Sequence, residues 1–504
     1  MYLGIDLGTS ELKLLLLDDR HRIVAGLGEP LTVSRPHPLW SEQAPADWWT
    51  ALDAAMQRLR VTQPAAMAAV RAIGLSGQMH GAVLLDAHDA VLRPAILWND
   101  GRSGPQCAAL EAALPTLHSI AGNLAMPGFT APKLLWVREY EPRLFAQTAR
   151  VLLPKDWLRL QLTGEHASEM SDASGTLWLD VGARRWSDEL LAACGLTLEH
   201  MPRLVEGSEV SGQLRPALAD RWGLRAGIAV AGGGGDNAAS AVGIGAVRPN
   251  QGFVSLGTSG VIFLASDRFR PNPRSAMHAF CHALPGRWHQ MSVMLSAASA
   301  LRWARELLGL PSETALLECV AGLTPSQRAR APLFLPYLSG ERSPHNDPNA
   351  QGVLFGLTHE HDAGAIGYAV VEGVSFGLVD GWASLQAEPG SVAALSLVGG
   401  GARSVLWAQL LASALGVTMR IHEGGEAGGA LGAARLAWLA DGGDESDVCR
   451  TAAVAREFRP DAAEAGLLAL RYERFRALYP ALRSQFAFKR DDATVKANAQ
   501  ALHQ

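Results

Sequence analysis

Asp236 is the residue whose surroundings in the sequence most favour a chemical role. It follows an apolar run at 228–231 and four consecutive glycines at 232–235. Glycine loses much conformational entropy on ordering, so four in a row indicate a sharp backbone turn close to a ligand. A carboxylate at such a turn could accept the proton of an attacking hydroxyl, because phosphoryl transfer depends more on positioning than on a strong base. The alternative is a flexible turn in which Asp236 and Asn237 begin a helix.

A Leu-Gly-Thr-Ser motif occurs twice, at residues 7–10 and again at 256–259, close to half way along the 504 residues. Tight turns of glycine and small hydroxyl residues present several backbone N–H groups together, and such a surface binds phosphate oxygens. The candidate phosphate-binding residues are Gly8, Thr9, Ser10, Gly257, Thr258 and Ser259. Either copy alone could be an ordinary hairpin turn. The repetition favours a cleft in which two turns face one polyphosphate.

Asp6 and a glycine-rich segment at 399–404 could complete a nucleotide site. Asp6 lies two residues before the first Gly-Thr-Ser turn, where a carboxylate could hold Mg²⁺ through water molecules or bond to the N–H groups of the turn. Residues 399–401 are glycines between an apolar run and a helical pattern. Bare backbone would admit a flat ring, and a helix N-terminus favours negative charge. An adenosine site and an ordinary strand-to-helix turn both explain this segment.

Two groups of polar residues follow short apolar runs in the first half of the chain. They are Gln78, Met79 and His80, and then Trp98, Asn99, Asp100 and Arg102. Such groups suit a ligand with many hydroxyls, because the polar atoms pair with hydroxyls while an aromatic ring covers C–H faces. A buried, hydrogen-bonded histidine and a core tryptophan are the structural alternatives.

Several other chemistries are disfavoured by the motifs. The sequence has neither the P-loop pattern nor the Gly-x-Gly-x-x-Gly pattern of dinucleotide-binding folds, so a nucleotide would need another arrangement. Residues 373–377 match the Gly-x-Ser-x-Gly pattern of hydrolases, but they lie in a predicted helix instead of following a strand. The cluster of His278, Cys281, His282 and His289 fits no common zinc spacing, and structural roles are expected for it.

The elements that must position these residues repeat together with the motif. Each Gly-Thr-Ser turn joins two predicted strands and is followed by a third. These strands lie at 2–6, 12–17 and 22–27 in the first half and at 252–255, 261–264 and 288–295 in the second. Helical and strand patterns then follow at 48–59 and 70–75, and at 297–308, 363–385, 395–398, 406–415, 417–421 and 428–439. This order predicts a mixed sheet covered by helices on both faces in each half.

The predicted domain boundaries follow from this repeat. Two similar lobes are expected at 1–245 and 246–485, with a seam near 245–252 that contains Arg248, Pro249 and Asn250. Residues 486–504 are polar and are expected to form a flexible tail.

Composition restricts the class of protein. The net charge is −5, with 48% hydrophobic and 18% charged residues, which is typical of globular proteins of more than one domain. The absence of a basic run argues against nucleic acid as a partner. Five widely spaced cysteines without a Cys-x-x-Cys pair disfavour a disulfide scaffold. Early acidic residues disfavour a signal peptide, and the apolar run at 14–17 is too short to span a membrane. A cytoplasmic enzyme is therefore expected.

The chain resembles the FGGY family of carbohydrate kinases over essentially its whole length, up to about Leu482. The segments that carry the resemblance are 2–10, 34–43, 77–81, 96–102, 126–133, 153–156, 233–238, 336–344 and 399–404. The resemblance implies an α/β fold of two ribonuclease-H-like lobes of the actin/hexokinase superfamily around an interlobe cleft. Four glycines precede Asp236 where similar enzymes carry three, which could shift this side chain slightly.

The same resemblance implies a reaction and the residues for it. An ATP-dependent kinase is expected, with Mg²⁺, acting on the terminal hydroxyl of a pentulose, D-xylulose. Asp236 would be the catalytic base, with Asp6 and Asp236 at the metal. The expected sugar contacts are Gln78, Met79, His80, Trp98, Asn99, Asp100, Arg102 and Asn237. The expected ATP contacts are Gly8, Thr9, Ser10, Lys13, Gly257, Thr258, Ser259, Gly400, Gly401, Ala402 and Arg403.

Alternatives to this function remain open. Kinases of ribulose, gluconate or glycerol in the same family are the nearest. An actin-like or chaperone-like ATPase and a sugar-binding regulator without catalysis are more distant. The expected partners are small molecules, a pentulose and ATP, with no nucleic acid and no membrane, and a homodimer is a candidate assembly.

Overall fold

The computed structural model describes residues 1–388, 390–424 and 428–486. The strands of the first half are β1 (Tyr2–Leu7), β2 (Glu11–Leu17), β3 (Ile23–Pro30), β4 (Glu42–Gln43), β5 (Ala72–Gly77), β6 (Val83–Leu85), β7 (Ala95–Ile96), β8 (Arg150–Leu152), β9 (Ala167–Glu169), β10 (Leu179–Asp180), β11 (Arg185–Trp186), β12 (Arg203–Val205), β13 (Val210–Gln213), β14 (Ala229–Ala231) and β15 (Gly234–Gly235). Its helices are α1 (Pro45–Thr62), α2 (Pro64–Ala68), α3 (Gly104–Ala113), α4 (Leu117–Ile120), α5 (Thr130–Tyr140), α6 (Pro142–Gln147), α7 (Pro154–Thr163), α8 (Met170–Ser174), α9 (Asp188–Ala193), α10 (Pro216–Trp222) and α11 (Asp236–Ile244).

The second half contains the remaining elements. Its strands are β16 (Gly252–Leu256), β17 (Gly260–Ser266), β18 (His278–Cys281), β19 (Trp288–Met294), β20 (Leu333–Leu335), β21 (Val353–Phe355), β22 (Ala394–Val398), β23 (Thr418–His422) and β24 (Val454–Phe458). Its helices are α12 (Ala298–Leu307), α13 (Glu313–Ala321), α14 (Pro325–Arg330), α15 (Ala363–Ser384), α16 (Val405–Leu415), α17 (Gly428–Ala440), α18 (Glu445–Val448) and α19 (Ala462–Phe486), with 3₁₀ turns at Leu198–His200, Pro273–Ser275 and Gly400–Arg403.

The two large sheets share one strand order. The first has the central order β3-β2-β1-β5-β14 and the second has β19-β17-β16-β22-β23. In each sheet the first three strands pair antiparallel and the next pairings are parallel. Antiparallel strands extend the edges, β13 in the first sheet and β18 and β24 in the second. The repeat expected from the two Gly-Thr-Ser motifs is thus a repeat of whole lobes, as in a two-lobed ribonuclease-H-like fold.

Local sequence explains the elements that flank the sheets. Trp48, Leu52, Met56 and Leu59 lie on one face of α1 and are buried, as the helical spacing of apolar residues predicts.

Helix α15 is apolar all round and almost wholly buried. Among the described residues it is the one helix long and apolar enough to cross a membrane, but 89% of its most apolar window lies inside the protein. It is a core helix of the second lobe.

Helix α17 belongs to the second half of the sequence, but it packs on the first lobe. It lies against β1 and β5 of the first sheet and crosses α11. Small residues allow this contact, since a Cβ on Gly4 would lie 1.9 Å from the Ala430 carbonyl oxygen and one on Gly432 would lie 1.7 Å from that of Ala239. The expected boundary at residue 245 therefore separates the two sheets but not all the helices that cover them.

The tail expected at 486–504 lies almost wholly outside the described residues. Phe486 is the last residue of α19 and is buried. Residues 487–504 are not among those that the structure describes.

Candidate active site

A cavity of about 170 Å³ lies between the two lobes and includes Asp236 in its wall. The first half contributes Met79, His80, Trp98, Met126, Gly128, Phe129, Asp236 and Asn237. The second half contributes Ser259, Val261, His278, Met291, Val293 and Arg342. The sequence predicts a sugar surface on the first lobe alone, whereas this cavity has walls from both lobes.

Asp236 is the first residue of α11 and follows β15, which pairs with the end of β5. Its Oδ1 accepts hydrogen bonds from the backbone N–H of Asn237 at 2.7 Å and from the Asn237 side-chain amide at 3.0 Å. Burial, with a smaller contribution from the charge of Asp6, raises the pKa of Asp236 to about 6, against the lowering effect of these hydrogen bonds. Such a carboxylate is ionised at neutral pH yet binds a proton readily, as a general base must.

Two of the glycines before Asp236, Gly232 and Gly233, fit closely against protein backbone. Gly233 has a φ of +82°, and a Cβ there would lie 2.2 Å from the carbonyl oxygen of Leu75. A Cβ on Gly232 would lie 2.2 Å from the carbonyl oxygen of Glu206. The expectation of a sharp turn is confirmed. The atoms that leave no room for side chains at these glycines are backbone carbonyl oxygens of other segments of the same protein.

A buried ionic cluster holds this glycine segment in place. The Arg159 guanidinium donates to the carbonyl oxygens of Gly232 at 2.6 Å and Ala231 at 2.8 Å. The ammonium of Lys155 lies 2.9 Å from Asp156 and 3.3 Å from Asp172, and all these side chains are fully buried. Residues 153–156, which carry part of the family resemblance, reach the glycine segment through Arg159, which lies 3.3 Å from Asp156.

His80 presents a neutral ring to the cavity. Its Nδ1 lies 2.7 Å from the carbonyl oxygen of Gly175, which can only accept, so Nδ1 carries the proton. Burial lowers the pKa of His80 to about 3. Nε2 is therefore an acceptor, suited to a hydroxyl donor. Lys133 fixes the wall on either side by donating to the carbonyl oxygens of His80 at 2.8 Å and Gly128 at 2.6 Å.

Gln78, a predicted sugar contact, holds the first Gly-Thr-Ser turn instead. Its side-chain oxygen accepts a hydrogen bond from Thr9 Oγ1 at 3.1 Å, and its amide donates to Gln43. Trp98 lines the cavity, and its indole N–H donates to the same Thr9 hydroxyl at 2.9 Å. The first turn is thus tied to the wall of the cavity through Thr9.

Asp100 and Arg102 are also placed differently from the prediction. They form a buried ion pair at 2.7 Å, and Asp100 accepts the backbone N–H of Ser41 at 2.6 Å. The Arg102 guanidinium lies 3.5 Å from the ring centre of Trp40. Neither residue is in the cavity wall, and the same holds for the exposed Asn99. This ion pair stiffens the loop that carries Trp98.

Asp6 lies at the end of β1, beside the first turn. Its Oδ1 accepts a hydrogen bond from Ser76 at 2.9 Å, and Lys13 is its partner across the β1–β2 hairpin. Burial raises the pKa of Asp6, while Ser76 and Lys13 lower it. Within the hairpin, the backbone N–H of Gly8 donates to the Glu11 carbonyl at 3.0 Å, and Ser10 is exposed.

The donor set around Asp6 fits a magnesium ion that takes most of its ligands from a substrate. Within the described ranges no three metal-ligating side chains come together. Asp6 and Asp236 are close enough for the charge of one to raise the pKa of the other. Mg²⁺ bound to nucleotide phosphates commonly uses one or two protein carboxylates and completes its shell with phosphate and water.

The second Gly-Thr-Ser turn separates two cavities. Ser259 lines the cavity that contains Asp236. On the other side, the carbonyl oxygen of Gly257 accepts the backbone N–H of Ala298 at 2.9 Å, and that of Thr258 accepts the N–H of Ala297 at 3.0 Å. Ala298 lines a second cavity of about 530 Å³. A phosphate chain lying along this turn would connect the two cavities.

The second cavity contains the glycine-rich segment that was a candidate for adenosine. Its wall includes Gly400, Gly401 and Arg403 together with residues of α12, α13 and α16. Gly400 has open space where a Cβ would lie, apart from the end of the Arg403 side chain at 3.5 Å. Ala402 is buried and lies outside this wall. The bare backbone at Gly400 is available to a flat ligand.

His278 and Arg342 are cavity residues that the sequence analysis did not select. The Nδ1 of His278 lies 3.2 Å from the side-chain oxygen of Asn123, and its Nε2 lies 3.4 Å from Arg342 Nη1. Burial, with the nearby Arg342, holds the pKa of His278 well below its usual range. His278 had been assigned a structural role because its cluster fits no zinc spacing. Arg342 lay in the quoted segment 336–344 without a role of its own.

Comparison with known proteins agrees with this two-lobed site. The model of the N-terminal domain of the FGGY family of carbohydrate kinases matches residues 1–243, and that of the C-terminal domain matches residues 252–440. The xylulose kinase of Escherichia coli (strain K12) is 53% identical over 484 residues, which cover 96% of this chain and 99% of that protein. The xylulose kinase of Klebsiella pneumoniae is 53% identical over 463 residues, covering 92% and 95%.

A solved structure gives the same result in three dimensions. The crystal structure of a "xyloylose kinase" from Brucella ovis superimposes with a TM-score of 0.93 at 51% identity and covers 96% of this chain and 99% of that chain. Both domain models match, and the similar proteins extend over nearly the whole length. The chain therefore belongs to the FGGY family of carbohydrate kinases.

Proposed function

We propose that this protein transfers the γ-phosphoryl group of ATP to the 5-hydroxyl of D-xylulose, giving D-xylulose 5-phosphate and ADP. The observation that carries the proposal is the position of the 257–259 turn between two cavities, one with Asp236 and one with the bare backbone of Gly400. The 53% identity with two xylulose kinases supports the choice of sugar.

The sugar is held in the smaller cavity. The neutral His80 accepts a hydrogen bond from one hydroxyl, while Arg342 and Asn237 offer donors. Trp98 and Phe129 cover the apolar faces. In this proposal residues 1–245 form the sugar-binding lobe, with the additional wall from residues 246–485, which form the nucleotide-binding lobe.

Asp236 accepts the proton of the attacking hydroxyl as the oxygen attacks the γ-phosphorus. The N–H groups of Gly8 and Gly257 bond within their own turns, so the backbone N–H groups of Thr9, Ser10, Thr258 and Ser259, together with Lys13, stabilise the charge on the phosphate oxygens. Closing the lobes excludes water, which would otherwise compete with the sugar as acceptor. Asp6, with Asp236 beside it, would hold Mg²⁺, which neutralises phosphate charge when bound.

The test is the release of ADP with different acceptors. Purified protein, ATP and Mg²⁺ are assayed in a coupled reaction with D-xylulose, ribulose, gluconate, glycerol or no sugar. We expect D-xylulose to give the highest kcat/KM, with little release in its absence. A higher kcat/KM for another acceptor would reassign the substrate, and sugar-independent release would favour an ATPase.

The expected location is the cytoplasm. All five cysteines are unpaired, and four of them are buried, which suits a reducing compartment. We retain the homodimer as a prediction, which analytical ultracentrifugation would check.

A further inference from the structure

A cavity of about 590 Å³ lies at the junction of the two lobes, away from the proposed active site. It is formed by the turn between β2 and β3, the end of α11 at Gly243 and Ile244, one side of α17, and the segments 422–424 and 450–453. Asp236 begins α11 and Gly243 lies seven residues further along it, so a rise of about 10 Å separates the cavity from the proposed base.

The described wall of this junction cavity carries three arginine side chains and the imidazole of His21, whose pKa is lowered by burial. Arg20 and His21 come from the first lobe, and Arg435 and Arg450 come from the second half of the chain. Glu423 is the acidic residue among the described lining residues, and the Asp447 carboxylate lies beside the cavity, 3.5 Å from His21 and 3.9 Å from Arg450. Three guanidinium groups against these two carboxylates leave an excess of positive charge, which favours an anion.

Two of these side chains are buried without complete hydrogen bonding. Arg435 is only 4% exposed, and its Nη1 donates to the Val242 carbonyl oxygen at 3.0 Å, while its Nε has no partner among the described residues. The His21 side chain is 9% exposed, neither ring nitrogen makes a hydrogen bond within those residues, and Nε2 lies 3.5 Å from the Asp447 carboxylate. Leaving a buried donor unsatisfied is costly, so these groups are available to pair with a ligand.

We propose that the junction cavity binds a small molecule carrying a phosphate group. Guanidinium groups match the geometry of phosphate oxygens, and several together suit a dianion. The volume leaves room for more than the phosphate itself. A phosphate bound there contacts Arg20 of the first lobe and Arg450 of the second at once, so it joins the lobes behind the active site.

The test is calorimetric titration of inorganic phosphate at constant ionic strength. A non-hydrolysable ATP analogue and D-xylulose are present at saturation, so that the active site is occupied. We expect saturable binding of one phosphate per chain. Arg450→Ala and Arg20→Ala should each weaken it about tenfold or more, the effect of losing one charge-assisted hydrogen bond. The side chain of Arg450 is 53% exposed, and its one salt bridge, to Asp447, is 3.9 Å long, so the fold should persist.

Arg459→Ala is the matched control. Arg459 is 82% exposed, pairs with Glu457 and lies outside the cavity wall, so its replacement removes the same charge without touching the site. Non-saturable binding, or equal affinity in the Arg450 and Arg459 variants at matched thermal stability, would overturn the proposal. A parallel titration with glycerol 3-phosphate separates the sources: tighter binding than phosphate indicates a phosphate ester, and equal binding indicates the free ion.

Discussion

The carboxyl group of Asp236 is subject to opposing influences. Burial and the charge of Asp6 raise its pKa, and the two hydrogen bonds from Asn237 lower it, with a balance at about 6. Below this pH the group is protonated and cannot accept the proton of the sugar hydroxyl. Its role is therefore sensitive to pH in the range where the enzyme is still folded.

We expect kcat/KM for the sugar to fall about tenfold per pH unit below the pKa of Asp236, near 6, and to level off above it. Asp236→Asn should lose about 10²–10⁴-fold in turnover. A carboxyl group whose pKa is raised by folding destabilises the protein above that pKa, so the Asn variant should melt no lower than wild type at pH 8. A profile that stays flat to pH 5, or a variant retaining a tenth of the activity, would remove Asp236 as the base.

His80→Asn is expected to weaken the sugar and spare the nucleotide. Asparagine tolerates the left-handed conformation of this residue, which has a φ of 68°, so the backbone should be kept. Loss of one hydrogen bond costs about 0.5–1.5 kcal/mol, a severalfold to roughly tenfold rise in the KM for D-xylulose. The KM for ATP should barely change.

His88→Asn is the control for this variant, because His88 is exposed on a turn of the same lobe and is absent from the cavity wall. The placement of the sugar beside His80 would be refuted by equal sugar KM values in the two variants.

Residue type and spacing made Asp236, Met79, His80 and Trp98 separate candidates, and the family resemblance grouped them into one expected site. They could not show which neighbours face the cavity. Gln78 is adjacent to Met79 in sequence, but its side chain bonds to Thr9 and not to the cavity. His278 and Arg342 reach the cavity from distant parts of the chain, and this depends on tertiary packing that no local pattern records.

At the level of elements, the glycine segment before α11 acts by fitting a narrow space. Gly233→Ala would place a methyl group 2.2 Å from the Leu75 carbonyl in a left-handed conformation. We expect a clear loss of stability and of activity, because Asp236 moves with the segment. The comparison is Gly227→Ala, where φ is +71° but nothing lies within 4 Å, so only the conformational strain of about 1–3 kcal/mol applies.

Urea unfolding of both glycine variants measures the difference. A free energy of unfolding for Gly233→Ala equal to that of Gly227→Ala would mean that the backbone around Asp236 has more room than the structure shows.

The turn at Gly257 allows the opposite test, because a Cβ there has only the Ser259 carbonyl, at 3.5 Å, within 4 Å. Gly257→Val should keep the melting temperature and raise the KM for ATP, since the side chain projects into the space beside the phosphate-binding turn. Sugar binding measured without nucleotide should stay near normal. Gly466→Val, an exposed change in α19 with open space around it, controls for the substitution itself. Equal loss of both ligands would instead indicate an unfolded lobe.

The elements that could be predicted are those whose signals are local. The strand–turn–strand pattern around each Gly-Thr-Ser motif and the periodicity of α1 and α15 appear within a few residues of sequence. Edge strand β18 was not predicted, since its four residues, His278–Cys281, contain two of the residues of the apparent metal cluster. The packing of α17 on the first lobe could not be predicted from the sequence either, because small residues alone do not indicate which surface they contact.

For the whole molecule, α17 couples the two lobes. It follows β23 of the second sheet in the sequence, yet its side chains pack in the core on the first sheet with Tyr2, Leu15 and Ala72. Neither lobe can lose its core without exposing part of the other. We therefore expect a single calorimetric unfolding transition whose van't Hoff enthalpy matches the measured enthalpy. Two resolved transitions, each with its own enthalpy, would show that the lobes unfold independently.

The late position of α17 in the sequence also affects folding during synthesis on the ribosome. The strands of the first sheet have all been made by residue 235, but the helix that covers β1 and β5 ends at Ala440, about 200 residues later. At a synthesis rate of about 5–20 residues per second, that face of the sheet stays uncovered by α17 for about 10–40 s. During this interval the nascent chain exposes apolar surface on strands that are otherwise complete, and such surface is prone to aggregate.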